Sequence, residues 1–279
     1  MFFLNYGFKS LLKLLLLIAV MIGSMPAMAS AAGGTELLWY GHSAFKLTTP
    51  SGKVVLIDPW ITNPANKNGK DDLAKIAQAN LILVSHDHFD HVGDAVEIAK
   101  KTGAPLVSTL DVGQALVQYE GYPKAQAGYE TQGNFGGELT LLDGEVKIAF
   151  IPAVHSSTVA PSENSLHYGG NPGGFLISVK NGPVIYHTGD TDLFSDMALI
   201  PHFHKVSVML ACIGDHFTMG PNRAAEAVKL VKPATVVPIH FGTFPVLNGT
   251  PEAFETALKR QNVNSKLKIM QVGEALKLS

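Results

Sequence analysis

Three imidazoles and a carboxylate fall within one short stretch of this chain, at His86, His88, Asp90 and His91. They directly follow Leu81-Ile82-Leu83-Val84, an apolar run of β type, so four polar groups crowd the point where a buried strand ends. Interiors tolerate such groups only when each has a partner, and imidazole with carboxylate is a donor set for zinc, manganese or iron. In an extended segment alternate residues share a face, which lets His86 and His88 grip one ion. Asp90 and His91, beyond the turn into a helix near Gly93–Lys101, are displaced toward a second. A solvated loop with a chance run of histidines is the bland alternative, and the strand-end placement weighs against it.

The elements that must hold this stretch begin as a strand meander at Glu36–Tyr40, Ala44–Thr49 and Lys53–Asp58, with Pro50-Ser51-Gly52 as a turn. Helices and strands then alternate: a helix near Asp72–Gln78, the strand to Val84, a helix near Asp94–Lys101, a strand near Pro105–Ser108 and a helix near Asp111–Glu120. Strands at Glu138–Leu142 and Val146–Ile151 meet at the hairpin-type pair Asp143-Gly144. The second half repeats the mixture. Strands are expected at Gly174–Val179, Val184–Tyr186, a run ending at Ala211, Thr235–Ile239, Leu267–Met270 and Ala275–Leu278. Helices are expected near Phe194–His202, from Pro221 to Val231 and near Pro251–Gln261, with Pro221 at the first helical position, where its missing N–H costs nothing. Ser156–Gly174 is the least regular segment and reads as a long loop, a lid or substrate-selecting wall beside the site. Composition and order alone give an α/β class.

The stretch His86-x-His88-x-Asp90-His91 resembles the signature of the metallo-β-lactamase superfamily. That family's later ligands are a His, an Asp and a His, each at a strand end. Counterparts follow in that order: His155 after Val146–Pro152, Asp190 after Val184–Gly189, and His240 after Thr235–Ile239. Gly41-His42-Ser43, Thr188-Gly189-Asp190-Thr191, the run from His216 to Pro221 and the run from Pro238 to Thr243 are similar, more narrowly, to the branch holding L-ascorbate-6-phosphate lactonase and many uncharacterised metal-dependent hydrolases. The likeness extends from about Leu37 to the C-terminus. It implies a four-layer αββα sandwich of two mixed sheets with helices outside. It also implies two divalent metal ions, zinc first, with manganese or iron also suited. Carried across position by position, it puts His86, His88 and His155 on one ion, Asp90, His91 and His240 on the other, and Asp190 between them as a bridge. His216 then falls near the mouth of the site, as a hydrogen-bond donor to substrate backed by Asp215. His42 and Ser43 fall near the metals; Asp58, at the end of the third strand, reads as either a turn cap or a support for a ligand histidine. Gly189 reads as the residue that lets the backbone approach the ions. His187, His202 and His204 read as ordinary strand, helix and loop residues.

The expected chemistry follows from charge. Two divalent cations bring four positive charges, Asp90 and Asp190 remove two and a bound hydroxide one, leaving a positive centre that lowers the pKa of bound water and stabilises charge on an attacked carbonyl or phosphoryl group. Asp90 can also orient that water or pass its proton on. The reading is metal-assisted hydrolysis of a lactone, another ester or amide, or a phosphodiester, in a small-molecule substrate that is anionic or carries a polarisable carbonyl or phosphoryl. Two competitors stand beside it. Diiron oxidoreductases of the same superfamily commonly carry an acid where this chain has His88, and they need a flavin domain for which there is no room. A non-catalytic metal-binding protein has no need of an intact second set of ligands.

Residues 1–29 are expected to be a secretory signal: Lys9 and Lys13 flank an apolar run, Leu14–Ile22, and Ala27-Met28-Ala29 matches signal-peptidase preference. The run falls short of the ~20 residues a membrane span needs. The mature protein, residues 30–279, is therefore expected to be one hydrolase domain, periplasmic or secreted, meeting the membrane only during export. With 23 Asp and Glu against 21 Lys and Arg the chain is slightly acidic, and more so once Lys9 and Lys13 leave, so a nucleic-acid partner is not expected. The single cysteine, Cys212, lies in an apolar run and reads as core rather than ligand. Oligomeric state leaves no signal.

Overall fold

Apolar runs form strands buried on both faces, and Leu81-Ile82-Leu83-Val84 shows how. Leu81 and Leu83 pack between two sheets, whereas Ile82 and Val84 join a separate cluster with Ile98, Ala99 and Leu116 of the helices outside. The computed structural model describes residues 34–162 and 165–278. The compact unit is Gly34–Ser279, and the expected leader lies outside the described residues.

In chain order the strands of the first half are β1 (Thr35–Gly41), β2 (Ala44–Thr48), β3 (Val54–Ile57), β4 (Leu81–Leu83), β5 (Leu106–Thr109), β6 (Gln132–Gly133), β7 (Glu138–Leu141) and β8 (Val146–Pro152). Those of the second half are β9 (Thr158–Ser162), β10 (Ser165–Tyr168), β11 (Gly173–Val179), β12 (Val184–His187), β13 (Val208–Cys212), β14 (Thr235–Ile239), β15 (Lys266–Leu267) and β16 (Ala275–Leu278). One sheet runs 16-1-2-3-4-5-6 and the other 15-14-13-12-11-8-7. Each combines an antiparallel part with a parallel one: β1, β2 and β3 pair antiparallel before β4, β5 and β6 join in parallel, and β7, β8, β11 and β12 do so before β13, β14 and β15. Leu37, Phe45, Val55 and Ile57 of the first sheet meet Ile148, Phe175, Ile177 and Ile185 of the second in one core. Helices Gly69–Lys75, Ala95–Thr102 and Leu110–Ala115 cover one outer face, while Pro221–Val231 and Pro251–Arg260 join the core on the other side. The α/β sandwich expected from the sequence is the fold observed.

Three elements differ from expectation. Ser156–Gly174 is not a loop throughout: β9 and β10 pair as an antiparallel hairpin, with His167 stacked on Tyr119 of the neighbouring helical segment at 4.2 Å between ring centroids. Its periodicity misleads because Leu166 and Tyr168 face outward. The helix expected over Asp111–Glu120 changes to a wider π turn at Leu116–Glu120, and the strand expected at Leu267–Met270 pairs only over Lys266–Leu267. Among the described residues no helix is long and apolar enough to cross a membrane.

Candidate metal centre

Parallel strands aim their carboxyl ends the same way, and the polar groups of interest collect there. β4 delivers His86 through a short link whose Ser85 donates to Asp58 twice, from N to Oδ1 at 2.8 Å and from Oγ to Oδ2 at 2.7 Å. With the Ser85 hydroxyl proton spent on Asp58, the 3.0 Å contact between Ser85 Oγ and His86 Nδ1 takes its proton from the imidazole. That leaves the lone pair of His86 Nε2 free, and it faces His88 Nδ1 at 2.9 Å. His88 ends the extended segment, and the single turn Phe89–Val92 then carries Asp90 and His91 back to the same place. Asp58 accepts from His91 Nδ1 at 2.8 Å, so His91 Nε2 turns toward Asp190 Oδ1, 3.2 Å away.

β8 brings His155, β12 brings Asp190 and β14 brings His240. Asp190 lies among all of them: Oδ2 is 2.9 Å from His240 Nε2 and 3.6 Å from His155 Nε2. His240 Nε2 is also 3.6 Å from Asp90 Oδ2. Three sets of ligand atoms result, each within 4.8 Å: His86, His88 and His155; His42, Asp90, His91 and His240; and His86, His91 and Asp190, which spans the first two. All seven residues expected as ligands converge.

The atoms fit a cation. His91 Nε2, His155 Nε2, His240 Nε2 and Asp190 Oδ1 are buried without a hydrogen bond of acceptable geometry, a costly arrangement unless something positive binds them. Without metal, protons take that role. Burial opposes charge on His240, but Asp190 and Asp90 overcome it and push its pKa up to about 9. His91, between Asp190 and Asp58, is likewise held well above the usual range despite its burial. Burial works against the carboxylates too, yet His240 and His42 hold Asp90, and His240 and His91 hold Asp190, well below the usual range. His86 and His155 go down through burial, and His88 goes down to about 4 through burial and the neighbouring His155 and His91. The imidazoles of the first set are thus held toward the neutral form, whereas the carboxylates beside His91 and His240 hold those two toward the protonated form.

Two histidines do more than the sequence reading gave them. His42 is part of the second ligand set: Nε2 is 3.1 Å from Asp90 Oδ2, Nδ1 is 2.8 Å from Thr243 Oγ1, and its ring lies 3.9 Å from that of His240. Its carbonyl accepts from His240 N and from Trp39 Nε1, both at 3.1 Å, which ties the β1–β2 turn to β14. His187, expected to be an ordinary strand residue, donates from Nε2 to Ser43 O at 3.0 Å and accepts at Nδ1 from Gly189 N at 3.1 Å, so it fixes the backbone that presents Asp190. Gly189 is needed for a reason other than the ions: at φ +59° a Cβ would lie 2.4 Å from Gly173 O. The signals for His42 and His187 were faint, a lone His in a tight turn and a lone His ending a strand.

His216 stands apart. It is exposed on a turn, its ring edge-on to Phe217 at 4.4 Å, and among the described residues its side chain makes no hydrogen bond or ion pair. The turn is nonetheless adjacent to the centre, since a Cβ on Gly214 would lie 2.2 Å from His240 O. Asp215 accepts from His216 N at 2.9 Å and so shapes that turn.

Comparison with known proteins agrees with this geometry. Residues 53–241 match the β-lactamase superfamily domain. The chain is 58% identical to a UPF0173 metal-dependent hydrolase of Thermodesulfovibrio yellowstonii, over 97% of this chain and 99% of the relative. It is 52% identical to a UPF0173 metal-dependent hydrolase of Anaeromyxobacter sp., over 88% and 87% respectively. Among solved structures it resembles Igni18, a metallo hydrolase from Ignicoccus hospitalis, with TM-score 0.75, 35% identity and coverage of 88% of this chain and 99% of that one.

Proposed function

Because the chain belongs to the metallo-β-lactamase superfamily and is one of its metal-dependent hydrolases, we propose that it works through two metal ions, zinc first, on a small-molecule lactone, ester, amide or phosphodiester. His86, His88 and His155 would hold one ion, Asp90, His91 and His240 the other, with Asp190 shared. When bound, such a pair supplies the Lewis acidity that brings the pKa of a water toward neutrality and offsets negative charge on an attacked carbonyl or phosphoryl oxygen. The single observation that carries this reading is the position of Asp190, whose two oxygens reach histidines of both sets from one buried carboxylate.

The chain's own groups do the rest. Asp58, held by Ser85, fixes the tautomer and direction of His91. Asp90, still partly accessible, accepts from His42 Nε2 at 3.1 Å, which fixes the direction of a carboxylate that would orient the attacking water or take its proton. Burial, with the charge of His240 beside it, pushes His42 down to about 4, so it stays a neutral imidazole whose Nε2–H donates to Asp90. His216 would meet substrate from the rim. The leader is read as an export signal, which makes the mature protein periplasmic or secreted.

Elemental analysis of the purified protein beside His88→Ala and His240→Ala tests the proposal. About two metals per chain, with loss in both variants, is expected. One metal or none in a metal-replete preparation would overturn the dinuclear reading.

A further inference from the structure

An aromatic surface adjoins the His42 side of the centre. Trp60 and Phe244 stack at 5.8 Å between centroids with 24° between planes. Phe89 meets both edge-on, at 5.7 Å from Trp60 and 6.2 Å from Phe244. The trio leans on the centre through His42, which is edge-on to Trp60 at 5.4 Å and to Phe244 at 5.9 Å. Phe89 is placed by the ligand motif itself, between His88 and Asp90, yet it is 70% exposed. A large apolar side chain left in water between two half-buried candidate ligands, His88 and Asp90, is the unusual feature here.

The surface is built to stay in place. A Cβ on Gly93 would lie 2.5 Å from Trp60 Cα, so the turn after His91 packs directly on that residue. Asn63 Nδ2 donates to Trp60 O at 2.7 Å, and Asp94 joins the same turn by binding Thr62 N and Oγ1 at 2.9 Å each. The chain's two arginines, the natural forks for a phosphate or carboxylate, are engaged elsewhere: Arg223 with Asp192 and Arg260 with Asn222.

We infer that Phe89, Trp60 and Phe244 form a subsite for an aryl or alkyl group of the substrate, which makes apolar esters, lactones or amides the substrate class. The inference rests on the hydrolase reading for which bond is cut, but the subsite itself does not need the metals. Aromatic faces take such groups by area and by offset or edge contacts, and a group seated there lies next to Asp90 and His42.

Acetate and phenylacetate, and their neutral amides, serve as probes. Their binding is followed by tryptophan fluorescence, because Trp39 is buried in the core and Trp60 reports on the subsite. Phenylacetate should bind at least about tenfold more tightly than acetate, and phenylacetamide more tightly than acetamide with or without added metal. In Phe89→Ala and Phe244→Ala that gain should fall below about threefold while metal content stays at the parent value, and Trp60→Phe should remove the signal. Equal binding of the short and aryl probes by the parent, or an aryl gain that both alanine variants retain, overturns the inference, even if those variants change the oligomeric state. An aryl gain in a protein that takes up no metal keeps the subsite and sinks the dinuclear reading instead, so the two failures are distinguishable.

Discussion

Asp190 is where the two ligand sets meet, and its neighbours define what a metal must displace. In the metal-free protein His240, with its pKa at about 9, and His91, held higher than usual by Asp190 and Asp58, are both protonated at neutral pH. Metal binding should therefore release about two protons, and affinity should climb as pH rises from 6 to 9, by up to about a hundredfold per unit at the acid end. Calorimetry in buffers of different ionisation enthalpy would measure this, and pH-independent binding would contradict it. The metal-free fold should behave oppositely. A raised histidine pKa contributes stability that is complete below about 6.5 and lost as pH passes 9, so denaturant midpoints without metal should fall across that window. At this scale the sequence was informative wherever residue type and strand-end position coincided, as at His86, His155 and His240. It placed His42 near the metals only through the Gly41-His42-Ser43 resemblance and passed over His187, because their roles come from partners distant in the chain, Thr243 and Asp90 for one and Ser43 for the other.

The strand ends are held together by backbone contacts that leave no room for side chains. Ser85 O accepts from Gly173 N, and Gly189, in a left-handed conformation, packs against Gly173 O. Gly189→Ala forces both a strained φ and a backbone collision, so it should cost about 3 kcal/mol and lower the melting temperature by roughly 10 °C. A melting temperature within a degree of the parent would show that the contact yields freely. The element pattern was legible in the core strands, because burial on both faces writes continuous apolar runs such as Val54–Ile57 and Val208–Cys212. It failed at the β9–β10 hairpin. That ribbon has no continuous apolar run to mark it: Val159 is buried, whereas Leu166 and Tyr168 face outward.

At the scale of the molecule the centre joins the two sheets. His86 and His91 follow β4 of the first sheet, while His155, Asp190 and His240 follow β8, β12 and β14 of the second. An ion bound there crosslinks them and is absent from the unfolded chain. At a free-metal concentration about a hundred times the dissociation constant it should add about 2.7 kcal/mol and raise the melting temperature by roughly 5–10 °C. Chelation should reverse the gain, and a melting curve indifferent to chelator would contradict the bridging geometry. The same division has a consequence during synthesis. A nascent chain that has emerged through Asp90 and His91 holds only one side of each set, and the second set lacks His240 until β14 is made and paired. An ion captured early by the His86–His91 segment would be held loosely and exchangeably. Filling of both sets would therefore be a late event, occurring on a nearly finished fold and governed by whichever metal pool the completed chain meets.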